Sequence, residues 1–152
     1  MKVLLAGPDY EENLSIRYLS GSLLNAGHKT VLAAFNAASE IGAVANAAQD
    51  VDLVGLSICF QARANEFLAL ARQIKACDPK KLVVAGGHYA SCAAAALLAN
   101  HPEIDIVVIH EGEMTLVEIA GAMPRLKERL PRSRASRIEP GSGCASRRRD
   151  PR

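Results

Sequence analysis

The stretch Ala85-Gly86-Gly87-His88-Tyr89 joins an apolar run to an alanine-rich one, with two adjacent glycines and an imidazole at the junction. Glycine at such a place lets the backbone approach a ligand and permits positive φ. A plainer account is that the pair closes a tight strand-to-helix turn, and the residues alone leave both open. A second apolar run ends in Gly55-Leu56-Ser57-Ile58-Cys59-Phe60, with a small hydroxyl at Ser57, and a third ends in His110-Glu111-Gly112-Glu113. Glu111 and Glu113 have the look of an acid/base pair, yet at the start of a helix the positive end of its dipole accounts for them. What these junctions offer is little charge, small side chains and free backbone. That suits the binding of a large, flat, mainly apolar ligand with amides at its rim, rather than catalysis by side chains.

Such loops need a scaffold, and the chain alternates strand and helix signals five times. Lys2–Ala6, Thr30–Phe35, Asp52–Ile58, Lys81–Ala85 and Asp105–His110 are short runs rich in Val, Leu and Ile, as expected of parallel strands buried on both faces. Helical stretches follow them: Leu14 to Ala26, Ala38 to Ala48, Ala62 to Ala76, Ala90 to Ala99, and Glu113 to about Leu130. In the first, Leu14, Tyr18, Leu19, Leu23 and Leu24 recur near the helical period, and Gly27 marks the stop. In the third, Phe67, Leu70, Ala71 and Ile74 form the apolar stripe. The expectation is a single α/β domain over residues 1–130. It should be a flavodoxin-like, Rossmann-like five-stranded parallel sheet of order 2-1-3-4-5 with helices on both faces.

In that architecture ligands bind beyond the carboxyl ends of the strands, where strand order reverses. The loops there exclude several tenants. Gly7-Pro8-Asp9-Tyr10-Glu11 has one glycine and then acids, so it is no GxGxxG dinucleotide loop. It would also repel the phosphate of a flavodoxin-type ligand. A phosphoacceptor receiver needs an aspartate after the third strand and a lysine after the fifth, where Ser57 and His110 stand.

Composition narrows the classes further. Of the 152 residues 49% are hydrophobic and only 4% aromatic, so the helices should pack closely on small side chains. No run reaches the roughly 18 apolar residues of a membrane span, and a cytoplasmic protein without membrane partners is expected. Cys59, Cys77, Cys92 and Cys144 show neither CxxC nor CxxxCxxC spacing, so no zinc or iron-sulfur site is expected and the thiols are read as reduced. Up to Leu130 there are 11 Lys and Arg against 14 Asp and Glu; from Pro131 onward there are 7 Arg against 2 acids. The segment 131–152 has a single large apolar residue, Ile138, and is expected to be a disordered basic tail. It lacks interleaved aromatics, so nucleic acid is not its expected partner.

Four segments carry a resemblance: "NLSIRYLSGSLLNAGHKTVL", "DLVGLSI", "VVAGGHYAS" and "IDIVVIHEGEMTLVEI". Together they resemble the N-terminal cobalamin-binding domain of cobalamin-dependent radical S-adenosylmethionine enzymes, over about Lys2 to Met123. The last, with Glu111-Gly112-Glu113 before Thr115-Leu116, is the most distinctive. The resemblance implies that Ser57, Gly86 and Gly87 line the cleft for the cofactor's nucleotide tail. The full set expected beside cobalamin is Asp9, Tyr10 and Asn13 on the first loop, Ser57, Ile58, Cys59 and Phe60 after the third strand, Gly86, Gly87 and His88 after the fourth, and Glu111 and Gly112 after the fifth.

Departures from the pattern also matter. Methionine-synthase-like relatives carry DxHxxG after the first strand, whose histidine ligates cobalt. Here the same place reads Asp9-Tyr10-Glu11-Glu12-Asn13-Leu14, with glutamate for histidine and leucine for glycine. The resemblance therefore implies a base-off/His-off cofactor with no protein ligand to the metal, and loss of an axial donor alters the metal's electronics. No CxxxCxxC of the radical domain is present. The expectation is a module that binds cobalamin and presents it to a radical S-adenosylmethionine domain of methyl-transfer type, in a separate chain or in a longer enzyme of which this is a fragment. The alternative is a stand-alone flavodoxin-like binding or interaction domain without corrinoid.

Overall fold

A computed structural model describes residues 1–9 and 13–129, with side chains up to Met123. The expected tail, 131–152, and Tyr10 on the first loop lie outside the described residues. Five parallel strands, β1 (Lys2–Gly7), β2 (Lys29–Ala34), β3 (Leu53–Ser57), β4 (Leu82–Gly86) and β5 (Ile106–Val107), form one sheet in the order β2-β1-β3-β4-β5. This is the flavodoxin-like order read from the sequence, with its reversal between β1 and β3.

Because strand side chains alternate between faces, the interior divides into two cores. Leu4, Ala6, Val54, Leu56, Val83 and Ala85 point to one face, where α2 (Ile41–Ala47), α3 (Ala64–Cys77) and α5 (Ala94–Asn100) contribute Val44, Phe67, Leu70, Ile74 and Leu97. Val3, Leu5, Leu53, Leu82 and Val84 point to the other, beneath α1 (Leu14–Asn25) and α6 (Glu113–Arg129), which supply Ile16, Leu23, Leu116, Ala120 and Met123. Arg63 pins the first core at its edge. Its guanidinium lies over the Phe35 and Phe67 rings, donates to the Phe35 carbonyl at 2.9 Å and pairs with Glu66 at 2.6 Å.

Several elements differ from the sequence reading. In α1 the buried residues are Ile16, Ser20 and Leu23, while Leu14, Tyr18 and Leu24 are more than half exposed. Apolar residues surround this helix, so their count alone could not say which side meets the sheet. The fourth helical stretch is two short helices, α4 (His88–Cys92) and α5, broken at Ala93. The fifth strand keeps two residues of the expected six; Val108 N–H still donates to Ala85 at 2.8 Å, but His110 turns to φ 64° and leaves the ladder. Cys59 and Cys92 are free thiols, whereas Cys77 is disulfide-bonded, which corrects the reading of all the cysteines as reduced. Among the described residues no helix is long and apolar enough to cross a membrane.

Candidate functional site

On the α1/α6 face the sheet thins toward the carboxyl ends of its strands. Leu5, Gly55 and Val84 are aligned across β1, β3 and β4, and the Leu5 side chain packs over Gly55, where an added Cβ would stand 2.9 Å from its Cδ2. One step further along the same face lie Gly7, Ser57 and Gly86, with Ser57 paired to Gly86. A Cβ on Gly7 would come 3.2 Å from the Ser57 Cβ, which places the two side by side. The small residues of this second row and the open space over Gly86 leave a trough, and α1 and α6 roof it. The result is a cleft of about 600 Å³ opening between the ends of β3, β4 and β5, a size that holds a drug-sized molecule.

Its walls are Leu5, Ile16, Leu19, Val84, Val108 and Leu116. Polar groups gather at the mouth: His88, Cys92, His110 and Glu111 are exposed there, and Ser91 and Glu113 half-buried. Within the cleft Ser57 is the buried polar residue, its hydroxyl 3.4 Å from the Cys59 Sγ. The mouth is shaped by backbone. His110 N–H donates to the Ser91 hydroxyl at 3.1 Å, and Leu116 N–H donates to the Gly112 carbonyl at 2.8 Å to start α6.

The two adjacent glycines prove to do different work. Gly87 has φ 102°, and a Cβ there would stand 2.7 Å from the Ile58 carbonyl oxygen and 3.2 Å from the Cys59 nitrogen. The turn after β4 presses against the end of β3, so Gly87 is required by the chain's own packing. A Cβ on Gly86 would meet nothing nearer than the Val108 carbonyl at 3.9 Å. The space over Gly86 is open, and it faces the cleft.

Of the residues expected at the site, Ser57, Gly86, Gly87, His88, Glu111 and Gly112 come together around this cleft. Asp9 and Asn13 line a separate depression of about 210 Å³ beside Arg17 and β2. Asn13 also caps α1, accepting from Ile16 N–H at 3.3 Å and donating to the Pro8 carbonyl at 3.0 Å. Ile58 is fully buried in the opposite core, Cys59 is half-buried beside Ser57, and Phe60 is exposed; none of the three forms the cleft wall. The walls from α1 and α6, and the floor at Gly55, were not anticipated. A glycine two residues before Ser57 within a buried strand was the signal that could have revealed the floor.

The chain matches the B12 binding domain family over residues 3–120. It belongs to that family. The cleft described above lies at the strand ends, where ligands of this fold class bind. No curated protein matches the chain. Among solved structures, NtrX from Brucella abortus in complex with ADP is similar over 84% of this chain and 27% of its own, at 23% identity and a TM-score of 0.61. NtrX in complex with ATP has the same coverage, at 25% identity and a TM-score of 0.60. The B12-binding chain thus spans about a quarter of the length of those two. A CheY-like protein (tadZ) from Pseudomonas aeruginosa PAO1 is similar over 86% of this chain and 97% of its own, at 20% identity and a TM-score of 0.54. These likenesses concern the fold.

Proposed function

We propose that this domain binds cobalamin with the nucleotide tail in the α1/α6 cleft and the corrin ring across its mouth. Membership of the B12-binding family over residues 3–120 carries the reading, and the open space over Gly86 supports it. A cleft of about 600 Å³ is too small for a whole corrinoid and suits its tail. Ser57 and Gly86 then lie against the tail, while Gly87 holds the turn that shapes the mouth. His88, Glu111 and Gly112 stand at the rim, within reach of the amides of a corrin.

The cofactor is held base-off and His-off. Glu11 occupies the place where methionine-synthase-like relatives carry the cobalt-binding histidine. Cobalamin supplies the cobalt chemistry; the chain's own residues bind and orient it. The four segments that resemble the cobalamin-dependent radical S-adenosylmethionine enzymes favour presentation to a catalytic domain of that class, in a methyl-transfer reaction. That domain's CxxxCxxC is supplied by other sequence.

Incubation of the chain with hydroxocobalamin followed by gel filtration tests the reading. Corrinoid absorbance is expected to travel with the protein, with the visible spectrum of a base-off species. A protein fraction free of colour at saturating cofactor would instead favour a flavodoxin-like module without corrinoid.

A further inference from the structure

We propose that two copies of this chain pair through the free edge of β2, antiparallel about Leu32, into one continuous sheet; the pairing stands independently of the cobalamin reading. β2 is an outermost strand, bonded to β1. Lys29 N–H donates to the Met1 carbonyl at 2.8 Å and Phe35 N–H to the Gly7 carbonyl at 2.8 Å, so Lys29, Val31, Ala33 and Phe35 turn their backbone groups toward β1. Thr30, Leu32 and Ala34 turn theirs outward, and among the described residues no hydrogen bond takes them up.

Edge strands are usually blunted by shortness, proline, a bulge or inward-pointing charge. β5, at the other edge, is of that kind: it is two residues long, and beyond it His110 turns to φ 64°. β2 is six residues long, contains no proline and keeps an unbroken register to β1. The side chains of Leu32 and Ala34 are exposed, Leu32 by 47%.

The outward set is symmetric about Leu32, which favours a second copy as the occupant. A twofold axis normal to the sheet sets Leu32 against Leu32 of the second copy and Thr30 against its Ala34, closing about six hydrogen bonds. The same register carries Lys29 to Phe35 and Asn36 of the second copy, so the two lysines lie at opposite ends of the joint. Asp9 stands at that end, its N–H on the Asn36 Oδ1 at 2.7 Å. Neither Lys29 nor Asp9 has an ion-pair partner among the described residues, and the pairing brings them together. Arg17, beside Leu32, shares its depression with Asp9, which offsets its charge near the axis. Because the axis is normal to the sheet, the two α1/α6 clefts lie on one face and open at opposite ends, both free.

Sedimentation equilibrium of the chain up to about 200 µM, where even a weak contact is populated, with amide exchange followed by NMR, tests the proposal. A concentration-dependent dimer is expected. Thr30, Leu32 and Ala34 N–H should be protected in it and exchange freely on dilution, while Val31 and Ala33 N–H stay protected throughout. Leu32→Pro removes an N–H that β1 does not use and is expected to weaken the dimer about tenfold or more, its circular dichroism confirming the fold. Leu32→Lys keeps the backbone and sets two ammonium groups face to face on the axis; it should weaken the dimer about fivefold or more at low salt and less at high salt. Should Leu32→Pro fail to fold, Leu32→Lys alone decides. A monomer at the highest concentration overturns the proposal. So does a dimer in which Thr30 and Ala34 N–H exchange freely, or one that Leu32→Lys leaves at parent strength, since either places the contact on another surface.

Discussion

The carbonyl oxygen of Ile58 lies 2.7 Å from the point a Cβ on Gly87 would occupy, and the same oxygen accepts the Ala90 N–H at 3.3 Å. The end of β3 thus docks directly under the turn that leads from β4 into α4. One residue earlier, Gly86 donates no room to its neighbours because none of them needs it; its missing side chain opens the cleft. Of two chemically identical neighbours in sequence, one is a packing requirement and the other leaves open space at the cleft.

Gly87→Ala is accordingly expected to destabilise the domain by about 2–4 kcal/mol. The added methyl collides with backbone that cannot swing aside, and φ 102° is costly for any residue with a Cβ. Urea unfolding followed by circular dichroism measures it. A midpoint within error of the parent would show that the contact between these two turns is not the constraint described.

Gly86→Val should do the reverse. Nothing approaches its Cβ closer than 3.9 Å, and a β-branched residue suits the end of a strand. The unfolding free energy is expected to stay within about 1 kcal/mol of the parent, while cobalamin uptake falls by at least about tenfold because the valine occupies the trough. Equilibrium dialysis gives the affinity; full uptake by the folded variant would move the tail away from Gly86.

How much of this was legible beforehand differs by element. The central strands β1, β3 and β4 announce themselves because each is buried on both faces, so Leu4-Leu5 or Val83-Val84 must be apolar without alternation, whereas β2 and β5, at the sheet edges, are only partly covered. Their order is the flavodoxin-like one expected of five such βα units. Ser57 and the glycine pair stood out as small residues at strand ends. The division of labour between Gly86 and Gly87 did not, because it depends on where the Ile58 carbonyl lies, and that is set by the packing of two turns distant in sequence. Nor did the face of α1: Leu14, Tyr18 and Leu24 have the chemistry of core residues and lie outward, while Ser20 is buried with its hydroxyl 2.7 Å from that of Thr30. Gly55 could have been read as a floor only by following the two-residue period inward from Ser57.

The proposed His-off state makes a spectroscopic prediction. His88 and His110 are the imidazoles at the cleft mouth; His28 and His101 lie elsewhere, the latter 3.3 Å from Glu103. Reduction of the bound cofactor to cobalt(II) is expected to give an electron paramagnetic resonance spectrum without nitrogen superhyperfine splitting. His88→Ala and His110→Ala should leave that spectrum unchanged. Nitrogen splitting that disappears in either variant would identify a protein ligand and end the His-off assignment.

A last prediction concerns the far end of the sheet, which holds β4 and β5 at the spacing the cleft needs. Asp105 accepts from Lys75 Nζ at 2.6 and 2.8 Å and from Val83 N–H at 2.7 Å, and Lys75 also donates to the Lys81 carbonyl at 2.8 Å. Both charged side chains are largely buried, at 12% and 17% exposure, so the pair cannot simply return to water when one member is removed. Asp105→Ala strands the Lys75 ammonium on one carbonyl and leaves Val83 N–H without its carboxylate, an expected loss of about 2–4 kcal/mol. Asp105→Asn keeps an acceptor for Val83 and should lose less. If chemical denaturation ranks the two variants equally, the charge pair with Lys75 is the whole of the effect, and the bond to Val83 adds nothing to the register of β4 against β5.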